Sequence, residues 1–172
     1  GIGKTRVATE AAHRAHREGA TVLYGRSDAQ SLVPYQPFIA AIGHYVNHRE
    51  QLDLPAEIAL ELSELARFVP ALRRHVQELR GSLAEEPETR RYRLFEGVSR
   101  MLAFAARDRP VVLILDDLHW AGPSSVDLLA YLGDRCATSG VLVLLAYRPA
   151  DLILGRAVAH DPALRERVGL RG

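Results

Sequence analysis

Cys136 is the only cysteine among 172 residues, which excludes an internal disulfide framework and a cysteine-based metal site. No stretch is strongly one-signed and the net charge is +1, so the chain lacks the basic face that direct nucleic-acid binding requires. Long apolar runs are missing too. The best two, Val111 to Leu115 and Val141 to Tyr147, fall far short of the roughly 20 residues that span a bilayer, and no membrane partner is expected. No signal peptide is visible, which makes the cytoplasm the expected location. The chain starts at Gly1 without an initiator methionine and reads as a piece of a longer protein. Internal repeats and low-complexity segments are absent. What remains suits one domain of ordinary size with a substantial core.

Apolar periodicity organises that core. Val7, Ala8, Ala11, Ala12 and Ala15 predict a helix from Thr5 to Glu18, with Gly19 as its stop. A short β-type run, Thr21-Val22-Leu23-Tyr24, follows, ended by Gly25 and a polar turn at Arg26-Ser27-Asp28. From Pro37 to Arg80 the pattern is helical, cut into pieces by Pro34, Pro37, Pro55 and Pro70. Gly81 to Pro87 reads as a loop. Leu94, Phe95, Val98, Met101, Leu102 and Ala105 then mark a helix from Glu88 to about Arg107. Pro110 hands over to an unbroken apolar strand, Val111 to Leu115, closed by Asp116-Asp117. Pro123 opens a helix over Ser124 to Cys136, and Gly140 introduces a second apolar strand, Val141 to Ala146, ending at Tyr147-Arg148-Pro149. Pro162 is expected to begin a short helix and Arg167 to Leu170 to form a last strand.

Continuous Val/Ile/Leu strands alternating with helices predict an α/β fold with a parallel sheet covered on both faces. Ligands of such sheets bind at the carboxyl ends of the strands. The acidic pair and Arg148 lie at such ends, and Gly1 to Thr5 opens a helix, so the motifs converge on one rim.

Their chemistry points to a nucleoside triphosphate. Gly1-Ile2-Gly3-Lys4-Thr5 matches the second half of the phosphate-loop pattern G-x-x-x-x-G-K-[ST], whose first glycine would precede the chain. Small residues before Lys4 let backbone N–H groups close around phosphate oxygens at the positive end of a helix. Lys4 would reach the β- and γ-phosphates, and the Thr5 hydroxyl would coordinate Mg²⁺. The nucleotide-binding set is therefore Gly1, Ile2, Gly3, Lys4, Thr5 and Arg6; the bland alternative is a simple helix start. Asp116 fits the Mg²⁺-side carboxylate and Asp117 a base that orients or deprotonates the attacking water. Two solvated acids leaving the core would look the same. Arg148 is placed to sense the γ-phosphate and stabilise developing charge, or else it is a surface arginine before Pro149. Trp120 is expected to pack on the following helix, while His119 stays open between packing and bonding the acids. His44 and His48 sit one helical turn apart without a third zinc ligand. Arg90, Arg91 and Arg93, beside Tyr92 and Phe95, read as the wet face of an amphipathic helix.

Asp116-Asp117-Leu118-His119-Trp120-Ala121 after a hydrophobic strand, with Gly-Ile-Gly-Lys-Thr upstream and Ala146-Tyr147-Arg148-Pro149 downstream, resembles the AAA-type ATPase module of the signal-transduction ATPases with numerous domains. Val33-Pro34-Tyr35-Gln36-Pro37-Phe38 and Glu88-Thr89-Arg90-Arg91-Tyr92-Arg93-Leu94-Phe95 also look like that family, so the resemblance covers nearly the whole chain. It implies ATP binding with Mg²⁺, slow hydrolysis, and a switch controlling an output domain elsewhere in the parent protein. That output would be a DNA-binding domain in large LuxR-type transcriptional regulators or a class III nucleotide cyclase. Oligomerisation of the ATP-bound form is compatible with it. By position, Gly3, Lys4 and Thr5 match the phosphate loop, Asp116 and Asp117 the Walker B pair, and Arg148 the sensor. Gly122 departs from the pattern, since relatives usually carry Asp there, but no assigned role depends on it.

The implied fold is a three-layer P-loop NTPase with sheet order 5-1-4-3-2, lacking here its first, central strand. Thr21 to Tyr24 is then strand 2, Val111 to Leu115 strand 3, Val141 to Ala146 strand 4 and Arg167 to Leu170 strand 5. One partial ATPase domain would occupy residues 1–172. It divides into the phosphate-loop half at 1–5, a helical insertion at about 37–108, the Walker B strand at 111–117 and the sensor strand at 141–148. The gap would leave one edge of strand 4 open and aggregation-prone. Losing two or three phosphate-binding N–H groups, at about 1.5–3 kcal/mol each, would make this piece a poor ATP binder and a weak or inactive ATPase beside a competent parent. Two other functions fit the same motifs. A kinase-type phosphotransferase would need an acceptor pocket, and Pro37 to Arg80 shows no clustered polar site for one. A non-catalytic gene fragment is the other. ATP rather than GTP comes from the resemblance alone.

Overall fold

The computed structural model describes residues 3–30, 33–76, 86–136 and 139–148. Helix α1 (Lys4–Arg17) turns at Gly19 into β1 (Thr21–Arg26), which leads to α2 (Gln36–Asn47). A 3-10 turn at Ala56–Ile58, α3 (Ala59–Phe68) and a second such turn at Pro70–Arg74 follow. Next come α4 (Pro87–Ala105), β2 (Val111–Asp116), α5 (Pro123–Cys136) and β3 (Val141–Leu145). The three strands form a parallel sheet in the order β1-β2-β3, with Thr21 opposite Val111 and Val111 opposite Val141. That is the α/β, parallel-sheet architecture of a P-loop NTPase-like fold, and α2, α3 and α4 all lie between β1 and β2. The expected helix at Pro162 and the strand from Arg167 to Leu170 lie outside the described residues.

Alternation along the strands sorts the layers. Leu23, Val111, Leu113 and Leu115 face the large core made with α2, α3, α4 and α5. Val112 and Ile114 face the other way, onto the small-residue face of α1 at Ala8, Ala12 and Ala15. Every residue of β2 is buried, whereas Leu142 of β3 is 55 % exposed. The wholly apolar run at 141–146 therefore does not mean full burial. Among the described residues β3 pairs only with β2, so half its surroundings differ from those of the central strand.

Two features of the core escape a hydrophobic count. Gly97 of α4 lies so close to α3 that a Cβ there would meet the Glu61 carbonyl oxygen at 2.5 Å. Its neighbour Glu96 is buried and tied by three cationic or hydroxyl groups: Tyr131 Oη at 2.5 Å, Arg100 Nε at 2.9 Å and Arg135 Nη1 at 3.2 Å. Burial alone would raise the Glu96 pKa, but the Tyr131 hydroxyl and the two arginines together hold it below the ordinary glutamate value. A lowered native pKa means the unfolded chain binds the proton more tightly, so this stability is complete above the unfolded value and is lost as pH falls. Stability should thus decline as pH drops below the ordinary value of 4.5. In Glu96→Gln that portion of the decline should vanish, which paired urea titrations between neutral and acid pH would measure. The buried thiol of Cys136 has its pKa pushed up by burial, as befits a packing residue rather than a nucleophile.

Candidate functional site

The site is built where the carboxyl ends of β1 and β2 meet the chain after Asp116. Because Tyr24 pairs with Ile114 and Arg26 with Asp116, the residues Val22, Tyr24 and Arg26 share a sheet face with Val112, Ile114 and Asp116. That face is the one α1 covers. The turn at Gly19 and Ala20 feeds α1 directly into the start of β1, so α1 runs antiparallel to the strands. Its N-terminus, with Gly3 at φ 134° and Gly3 O accepting from Val7 N at 2.9 Å, therefore lies toward the rim that carries the acids. Gly1, Ile2 and the side chain of Lys4 lie outside the described residues. Thr5 and Arg6 are exposed on the first turn of α1.

Asp116 is buried at 2 % exposure. Its Oδ2 accepts from the Tyr24 hydroxyl at 3.0 Å and its Oδ1 from the backbone N–H of Asp117 at 2.9 Å. Burial, reinforced by this bond, pushes the Tyr24 pKa up to about 12, so the hydroxyl stays a donor at neutral pH. Among the described residues no cation forms an ion pair with Asp116. A buried carboxylate so placed keeps lone pairs for a hard divalent cation, and its donor chemistry suits Mg²⁺.

Asp117 takes the left-handed conformation, φ 51°, and starts a 3-10 turn from Leu118 to Trp120. Bonds from Leu118 N to Ala146 O and from Ala146 N to Leu115 O fasten that turn to the end of β3. Arg26 grips one oxygen of Asp117, with Nε at 2.8 Å and Nη2 at 2.7 Å from Oδ2. The other oxygen, Oδ1, stands 4.0 Å from His119 Nδ1, too far for a hydrogen bond. His119 is the buried member of its pair, with its side chain only 3 % exposed and neither ring nitrogen hydrogen-bonded. Trp120 is half exposed against it, ring centroids 4.9 Å apart. Leu118, two residues earlier on the same 3-10 turn, takes the core position. Arg148 is exposed two residues beyond Ala146, at the same end of the sheet.

A cavity of about 380 Å³ adjoins the pair, lined by Arg26, Ser27, Asp28, Ala29, Gln36, Asp117 and Trp120. The Ser27 hydroxyl beside it is buried without a partner. Sequence reasoning misses Tyr24 and Arg26 because it ends the strand at Tyr24, whereas Gly25 and Arg26 continue the ladder opposite Leu115 and Asp116. Alternate polar residues at the end of a strand are the signal that could find them. Elsewhere, His44 and His48 stack with ring centroids 4.1 Å apart. Among the described residues no group of three or more His, Cys, Asp or Glu could hold a metal ion. Arg91 pairs with Asp127 at 2.7 Å on the surface.

A parallel α/β sheet with a glycine-started helix on one face and a buried strand-end acid on the same face defines a nucleotide-binding module of the P-loop type. Comparison of families agrees. The model of the AAA ATPase domain matches residues 1–144, and the chain belongs to that family. No curated protein and no solved structure matches it. No helix among the described residues is long and apolar enough to cross a membrane.

Proposed function

We propose that this domain binds ATP with Mg²⁺ and hydrolyses it slowly, as a cytoplasmic switch that governs an output domain in a multidomain signalling or transcriptional regulator. The observation that carries the reading is Asp116: a carboxylate at 2 % exposure, unpaired with any described cation, on the sheet face that α1 covers. Gly1, Ile2, Gly3, Lys4, Thr5 and Arg6 would cradle the polyphosphate. The Thr5 hydroxyl and Asp116 would hold Mg²⁺, which when bound neutralises phosphate charge. Asp117 orients the attacking water and takes its proton, and Arg148 senses the γ-phosphate. The regulator context rests on the Asp-Asp-Leu-His-Trp resemblance.

Calorimetry and phosphate release test it together. ATP should bind the full-length protein only with Mg²⁺, Lys4→Ala should abolish the heat of binding, and phosphate should appear without any acceptor. The polar cavity beside Asp117 favours one second reading, a phosphotransferase whose acceptor sits between Arg26 and Trp120. ADP that formed only when an acceptor was added would select it.

A further inference from the structure

We infer that Arg26 is a positioning residue for Asp117, a role that rests on the hydrolytic reading above. Three observations carry it. First, the ladder places Arg26 opposite Asp116, so the guanidinium reaches Asp117 from a neighbouring strand fixed by backbone hydrogen bonds rather than from a loop. Second, both donors of one guanidinium edge converge on a single oxygen, Nε at 2.8 Å and Nη2 at 2.7 Å from Oδ2, leaving Oδ1 without a hydrogen bond among the described residues. A planar, fixed cation sets carboxylate orientation in a way an ammonium cannot. Third, Asp117 needs an external hold. Its backbone is left-handed at φ 51°, the buried imidazole on its other side stands off at 4.0 Å, and the carboxylate is about a quarter exposed.

The pair is not there for stability. Arg26 is 67 % exposed, and surface ion pairs contribute little. Its effect is geometric: it fixes the carboxylate of Asp117, which with Arg26 lines the cavity of about 380 Å³. A reacting water bound there would meet a carboxylate with one rotamer instead of several. Tyr24 does the equivalent for Asp116, two residues earlier on the same strand face, by donating to its Oδ2. β1 thus orients both acids at the end of β2.

The test is a double-mutant cycle on single-turnover phosphate release, with ATP affinity measured in parallel. Arg26→Ala should lower the turnover rate about tenfold with affinity unchanged within about twofold, the signature of lost orientation rather than lost binding. Arg26→Lys should recover part of the rate. In an Asp117→Asn background Arg26→Ala should change nothing further, since coupled residues are non-additive. An unchanged rate, a faster one, an equal loss in the Asp117→Asn background or a parallel loss of affinity would each overturn the assignment. Thermal melts guard against misfolding, and Arg26→Gln serves if the alanine variant fails to fold. No phosphate release by the unsubstituted full-length protein, in which all these variants are made, would instead remove the hydrolytic reading, and the Arg26 role with it.

Discussion

Replacing Asp117 with asparagine should cut phosphate release by about two orders of magnitude or more while leaving ATP affinity within a few-fold, as expected for loss of a general base. In barrier terms, two decades correspond to about 2.7 kcal/mol. Asparagine is the right probe because the position is left-handed, φ 51°. Asn tolerates that conformation, whereas alanine would add backbone strain and confuse a chemical loss with a structural one. The amide oxygen also still accepts from Arg26, so the hold on the side chain survives in part. Asp116→Asn should behave differently, lowering affinity for the Mg²⁺ complex itself, because its neutral amide would be a poorer ligand for a divalent cation. If both substitutions cost only affinity, Asp117 is a metal ligand and not a base. If Asp117→Asn leaves turnover intact, the acidic pair is merely two residues at the end of a strand.

How far the sequence reveals this arrangement depends on which physical signal each residue carries. Unbroken apolar runs flanked by Gly and Pro locate β2 and β3, and Pro123 marks the start of α5, because burial on two faces and fixed φ leave local signatures. The acidic pair is legible for the same reason: charge directly after a buried strand must emerge at the rim where such sheets bind their ligands. Arg26 and Tyr24 are not, since their meaning comes from the strand they pair with, about 90 residues away in the chain, as the register of Tyr24 to Ile114 and Arg26 to Asp116 shows. A glycine in an apolar run reads locally as a stop, and only the neighbouring strand reveals that the ladder passes through it. Gly122 holds the start of α5 through its backbone. Its carbonyl accepts from Ser125 N at 3.0 Å at the start of α5, which needs backbone and not a side chain.

Gly25 is where the site and the fold depend on the same atom, and Gly25→Ala should be among the most damaging single changes in the protein. The residue faces the large core, and a Cβ there would meet the Pro37 carbonyl oxygen at 1.8 Å and its carbonyl carbon at 2.6 Å. Those are backbone atoms in the first turn of α2, where Tyr35 is already left-handed at φ 60° and Pro37 fixes the next turn. No rotamer change relieves the clash. Either α2 must move off the sheet, taking Phe38, Ala41 and Ile42 from the core, or β1 must bend at the residue before Arg26. Overpacking normally costs about 1–3 kcal/mol and more where backbone must shift, so a loss of roughly 3 kcal/mol or greater is expected. For a domain of this size that lowers the melting temperature by about 6–12 °C. Gly122→Ala is the matched control: nothing lies within 4 Å of its Cβ and no left-handed φ constrains it, so it should melt with the unsubstituted protein. If α2 yields while β1 holds, phosphate release should survive in the destabilised variant. If β1 yields, Arg26 loses its register opposite Asp116 and turnover should fall with the melting temperature. An alanine variant that melts beside the control would mean that the first turn of α2 does not press on β1 at all, and that the strand carrying Tyr24 and Arg26 is held by its ladder alone.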